Sequence, residues 1–209
     1  MDDPVLFRRL LHTMRLVSHA SSERLAERLE RPTDHVRATL RIVEANGWAI
    51  ARAGHFAGWS LTAEGRRHGE ELLAAELDRS GARDEVEAVY LEFVGINQDF
   101  LVLCTDWQLR RMPSGEQAIN DHSDPDWDGA VLARLAGPHA EITSLARRLG
   151  GALERFSGYE RRFEHALGRI EAGEMDWFTK PVLDSYHSVW FELHEDLLAT
   201  LGRQRSQER

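Results

Sequence analysis

Residues 22–66 read SERLAERLERPTDHVRATLRIVEANGWAIARAGHFAGWSLTAEGR, and their order of elements decides the fold. Ser21 or Ser22 is placed to cap a helix whose inner face is Leu25, Ala26 and Leu29. Residues 30–33 interrupt that pattern as a turn, and Pro32 and Thr33 restart it. Asp34 follows where a negative charge favours a helix N-terminus. The next helix runs from about Thr33 to Ala45, with Val36, Leu40 and Val43 as its buried stripe and Thr39 beside them. Thr33, Asp34, His35, Arg37, Ala38 and Arg41 are left facing outward. Asn46-Gly47 ends the helix, glycine being suited to a left-handed C-cap. Trp48 to Ala51 and Trp59 to Leu61 read as two short strands around a tip at 52–58. Thr62 caps a further helix that begins Ala63-Glu64-Gly65 and continues through Leu72, Leu73 and Leu77.

Upstream, Pro4 can open a helix at a position where its missing N–H costs nothing, and Val5, Leu6, Leu10, Leu11, Met14 and Leu16-Val17 recur at helical spacing. Two helices, a turn-linked third, a two-stranded wing and a closing helix form the order of a winged helix-turn-helix. That module places one helix in the DNA major groove. The chain resembles the MarR/PadR type of bacterial winged-helix regulator across roughly residues 5–77. The resemblance rests on Leu25-Ala26-Glu27-Arg28-Leu29, on Val36, Leu40, Val43-Glu44 and Gly47-Trp48, and on Ser60-Leu61-Thr62-Ala63-Glu64-Gly65-Arg66. It implies that the third helix reads base edges through Thr33, His35, Arg37 and Arg41. It also implies that the wing grips the backbone or minor groove through Arg52 and His55. Arginine can bond guanine bidentately or bind phosphate. Two features depart from the pattern: Asp34 on the reading face repels phosphate, and the short wing carries a single arginine. The rival reading is a winged helix used for protein contacts or dimerisation.

The chain has 209 residues, 42% hydrophobic and 29% charged, an ordinary globular balance. Its net charge is −9, but residues 1–67 carry +3 and residues 68–209 carry −12. A mildly basic head on an acidic body fits a DNA reader with a separate control domain. The single cysteine, Cys104, precludes an intrachain disulfide and sits in an apolar helix as inert packing. No uninterrupted apolar run approaches the roughly 18 residues of a membrane helix. The N-terminus MDDPVLFRR lacks the basic start and apolar core of a signal peptide. A cytoplasmic protein without membrane association is therefore expected. No phosphate-cradling Gly-rich loop, nucleophile elbow or His-Glu-x-x-His helix is present, so neither an enzyme nor a cofactor is expected.

The first domain is placed at 1–80 and a helical dimerisation and effector domain at 81–209. In the second, Arg83–Trp107 is apolar on nearly every side, suiting a core helix or a dimer interface. Residues 112–127, MPSGEQAINDHSDPDW, read as a polar loop longer than a plain connector. A helical stretch follows from about Asp128 to Glu171, broken near Gly137-Pro138, and Pro181 to Leu201 is the last helix. Trp107, Tyr186, Trp190 and Phe191 are candidates to line a small-molecule effector pocket, with His187 or His194 as polar anchors. Asp184 and His187, one turn apart, face one site. The segment through His165, Ala172-Gly173-Glu174 and His187 resembles the end of FCD-type effector domains, which hold a metal with an Asp and several His. Its glycine spacing departs from that pattern, and no metal site is expected. The expected whole is mainly α: an N-terminal winged helix-turn-helix with a small two-stranded wing, then an all-α domain. The expected partners are double-stranded DNA, a second copy as homodimer, and a small-molecule effector.

Overall fold

The protein, described by a computed structural model over residues 3–54, 57–111 and 116–205, is mainly α-helical with two small two-stranded sheets. It divides into two compact units. The first comprises Met1–Gly81 and Glu195–Arg209, the second Ala82–His194. The last fifteen residues group with Met1–Gly81.

In the first unit, helix α1 (Pro4–Val17) starts on Asp3, whose carboxylate accepts from the Leu6 N–H at 2.9 Å. Helix α2 (Ser22–Leu29) is capped by Ser21 and closed by Glu30 in the left-handed region, φ 52°. Helix α3 (Thr33–Ala45) buries Val36, Leu40 and Val43 completely. These join Leu6, Phe7, Leu10, Leu11, Met14, Leu25 and Leu29 in one apolar core. Strands β1 (Ala49–Arg52) and β2 (Gly58–Leu61) pair antiparallel, with Ala49 opposite Leu61 and Arg52 opposite Gly58. Ala20 adds a bridge to Trp59 on the far side of β2 through two backbone hydrogen bonds. Helix α4 (Ala63–Ser80) is capped by the Thr62 hydroxyl, which accepts from the Gly65 N–H at 3.0 Å. Trp48 stacks on His68 of α4 at 4.1 Å and meets Phe7 edge-on.

In the second unit, helix α5 (Arg83–Gln108) is the long central element, packed against α7 (Ala136–Ala152). Between them come strands β3 (Leu109–Arg111) and β4 (Gln117–Ile119), paired antiparallel, and helix α6 (Pro125–Ala133). The polar loop expected over 112–127 is therefore corrected: residues 117–119 are a strand, and α6 begins at Pro125. Residues 112–115 lie outside the described residues. Buried Asn120 organises the return. Its side-chain N–H groups donate to the Trp107 carbonyl at 3.0 Å and to Asp128 at 2.8 Å, and its carbonyl accepts from the His122 N–H. Satisfying a buried amide in this way ties the segment down.

The expected helix from 128 to 171 is four pieces, the first being the end of α6 up to Ala133. Helix α7 starts at Ala136, a short 3-10 turn spans Glu154–Phe156, and α8 covers Tyr159–Glu171. The break falls at Arg134-Leu135, not at Gly137-Pro138, because Pro138 occupies the first turn of α7, where its lost N–H has no helical acceptor. A single-turn helix α9 (Asp176–Thr179) follows, and the last helix α10 is Tyr186–Leu201. Pro181 does not start α10. Ser185 does, its hydroxyl accepting from the Ser188 N–H at 3.3 Å.

Helix α5 is 26 residues long, with a mean hydropathy of 1.2 over its most apolar 18-residue window. Length and composition alone would let it cross a membrane, contrary to the sequence expectation. Its Val86, Val89, Phe93, Phe100, Leu103 and Trp107 are nonetheless buried within the unit, the position of a core helix. Cys104 lies on this helix, 6% exposed, and burial pushes its thiol up to about 12. Folded protein at pH 8 is expected to leave Cys104 unmodified by a thiol-disulfide reagent over minutes, whereas urea-unfolded protein reacts fully. Rapid labelling of the native chain would contradict this burial.

Candidate nucleic-acid interface

The face of α3 opposite its apolar stripe is exposed and carries charged residues. Val36, Leu40 and Val43 point inward at 0% exposure, which turns His35, Arg37 and Arg41 outward on the same helix. Thr33 sits half-buried at the start of the helix. Arg52 ends β1 and is exposed. His55 lies outside the described residues.

The arginines of this face differ in their partners. Arg37 is engaged: its guanidinium pairs with Glu23 of α2, donates to the Ser22 hydroxyl at 3.2 Å and lies 3.7 Å from Asp34. Glu23 is held below the usual carboxylate range by its own backbone N–H first, then by the Ser21 hydroxyl and Arg37. Neither Arg41 nor Arg52 makes an ion pair with any described residue. Arg24, near by on α2, bonds Glu27 at 2.9 Å, and Arg31 bonds the Glu30 carbonyl. The result is an exposed face of mixed sign. Arg41 and Arg52 are available for an outside anion, while Arg37 would have to exchange Glu23 for one.

Gly58 and Gly65 set the hairpin in place. Gly58 has φ +154°, and a Cβ there would meet His19 and the Ala20 carbonyl within 3 Å, so the bridge to Ala20 requires glycine. Gly65 lets α4 rest directly on the Trp48 backbone.

The residues considered for an effector site lie in the second unit and are packed ring against ring. Trp107, Tyr186, Trp190 and His194 are each at most 4% exposed. Phe100 is the hub: it stacks on Trp190 at 4.0 Å and on His187 at 6.2 Å, and contacts Tyr186 and Phe178. His194 packs on Phe93, and Trp190 donates to the Asn97 side-chain carbonyl at 2.9 Å. Trp107 lies apart from Tyr186 and Trp190, against Phe178 and His122. Burial pushes the Tyr186 hydroxyl above its ordinary value, and its oxygen lies 3.2 Å from His139 Nδ1. Burial in turn holds His139 below its ordinary value, against the upward pull of Glu164 and Glu171. Side chains of the protein thus occupy the contacts these aromatics make.

Asp184 precedes α10 and binds Arg162 in a two-pronged pair, at 2.9 and 2.6 Å. Arg162 also reaches Glu192 at 2.7 Å and lies over the Tyr159 ring. Local spacing carries no trace of this cluster, because the partners stand 22 and 30 residues from Arg162. The His122–Asp128 contact at 3.0 Å is likewise hidden inside a segment that reads as a loop.

No protein-family model, no curated protein and no solved structure matches this chain.

Proposed function

We propose that this protein is a sequence-specific DNA-binding transcriptional regulator whose first unit is a winged helix-turn-helix of the MarR/PadR type. The observation that carries the reading is the outer face of α3. The helix is held to the core by Val36, Leu40 and Val43, presents Arg41 without an ion pair among the described residues, and is followed directly by a hairpin whose Arg52 is likewise available. In this reading α3 enters the major groove and the hairpin lies along the backbone. Arg41 and Arg52 take phosphates or a guanine edge, and Arg37 joins them on releasing Glu23. A homodimer would supply two recognition helices for a palindromic operator. Leu91, Leu101 and Val102, exposed on α5, are the apolar residues that a second copy would cover. An effector would act by binding one spacing of the two recognition helices better than another.

The test is fluorescence-anisotropy titration of DNA from the protein's own upstream region, over a series of salt concentrations. The double variant Arg41→Ala/Arg52→Ala is expected to lose at least about tenfold in affinity. Its log–log salt slope should become shallower by roughly 0.9 for each phosphate that the variant no longer neutralises. Weak binding that is the same in wild type and variant would overturn the reading.

A second reading has its own observation. Asp34 is 93% exposed on the same face and Arg37 is already paired with carboxylates, a mixed-sign surface that suits a protein partner. Flat DNA binding together with a stable complex captured on the α3 face would select it.

A further inference from the structure

A cavity of about 280 Å³ opens in the first unit between α1, the start of α4 and the chain just past α10. Its lining includes Arg15, Arg66 and Arg203, the amide of Gln204, the backbone at Gly202 and a single carboxylate, Glu70. That carboxylate is already used, because Arg15 pairs with it. Three arginines thus line this wall with one carboxylate, on a chain whose net charge is −9.

Two arginines of this lining have donors that are unspent. The Nε–H of Arg15 is buried and has no hydrogen-bond partner, while the side chain as a whole is only 14% exposed. Leaving a buried charged donor unsatisfied is costly, and such a group calls for an acceptor. Arg66 is exposed and makes no ion pair with any described residue. The end of α10 does not supply the missing acceptors. Its last carbonyls are closed by the Arg203 N–H on Leu198 and the Gly202 N–H on Ala199, with Gly202 in the left-handed region.

We propose that this cavity is a binding site for a small phosphate-bearing anion, held by Arg15, Arg66 and Arg203. Guanidiniums match phosphate oxygens by paired N–H donation, and three of them converge here from separate chain segments. The volume lies just under the roughly 300–1,000 Å³ of sites for drug-sized ligands, so it suits a compact ligand. One wall belongs to residues 199–204 and the other to α1 and α4, so an anion between them fastens the C-terminal segment to the rest of its unit. The existing fastening is His12, whose Nε2 lies 3.0 Å from the buried Asp196 carboxylate.

The experiment is calorimetric titration of the full chain with inorganic phosphate and with pyrophosphate, alongside thermal melts at the same concentrations. Saturable binding and a rise in melting temperature are expected, with pyrophosphate the tighter of the two. Arg66→Ala, a change at an exposed residue, is expected to weaken binding at least tenfold. Arg147→Ala, which removes the same charge from the second unit, should leave it unchanged. Absence of saturable binding to either anion would overturn the proposal. So would equal weakening in both variants, which would reduce the effect to net charge.

Discussion

Gly65→Ala is expected to cost the first unit at least about 3 kcal/mol, the upper part of the range for overpacking a close-packed site. A Cβ at this position would stand 1.9 Å from the Trp48 carbonyl oxygen and 2.6 Å from its carbon. Both are backbone atoms, so no rotamer change relieves the clash. The backbone itself is pinned: the Trp48 oxygen accepts from the Thr62 N–H at 3.0 Å. The Thr62 hydroxyl meanwhile donates to the Gly47 carbonyl and accepts from the Gly65 N–H. Moving α4 away would also open the stack of Trp48 on His68. Urea unfolding followed by tryptophan fluorescence should show the midpoint fall sharply. Gly95→Ala in α5, where an added methyl meets nothing within 4 Å, should gain up to about 1 kcal/mol from helix propensity. An unchanged midpoint for Gly65→Ala would mean that α4 does not rest on Trp48.

Arg162→Met should cost the second unit roughly 3–5 kcal/mol, the usual result of removing one partner from a buried charge cluster. Arg162 is 19% exposed and Glu192 is 13% exposed, so water does little of the screening. Burial works against the guanidinium charge, but the hydrogen bond to Asp184 and the charges of Glu192 and Asp184 outweigh it. The group is thereby held above its ordinary value and stays protonated throughout the accessible pH range. Methionine fills the volume but takes the shared guanidinium away from both carboxylates. Adding Asp184→Asn should recover part of the deficit at neutral pH. A cost under about 1 kcal/mol at neutral pH would show that the cluster does not hold the start of α10 to α8.

The first unit is largely legible because its signals are local. Ser21, Asp3 and Thr62 cap helices three residues ahead of them, and the Val36, Leu40 and Val43 stripe is visible at its own spacing. The second unit is less legible for equally specific reasons. Pro138 reads as a helix break and Pro181 as a helix start, but a proline fits the first turn of a helix as well as a break, and only packing chooses. The segment 116–127 has loop composition, yet Asn120 finds the Trp107 carbonyl and Asp128 and becomes a buried anchor.

The candidate site divides in the same way. That His35, Arg37 and Arg41 lie off the buried stripe of Val36, Leu40 and Val43 follows from a 3.6-residue period, which sequence spacing carries. Which of these arginines is available does not follow from it. Glu23 claims Arg37 from fourteen residues away, and no pattern in the sequence separates that arginine from Arg41.

The sequence by itself determined the order of helices and hairpin in the first unit, the inward and outward faces of α3, and the helix start at Thr62. Capping, periodicity and turn chemistry act within a few residues and leave their mark in the spacing. Only the tertiary structure decided the pairing of Arg37 with Glu23, the Arg162 cluster, the grouping of Glu195–Arg209 with the first unit, and the cavity where Arg15, Arg66 and Arg203 meet. Each of these depends on which distant segment packing brings within hydrogen-bonding reach, and a charged side chain is compatible with many such partners until the core has placed one beside it.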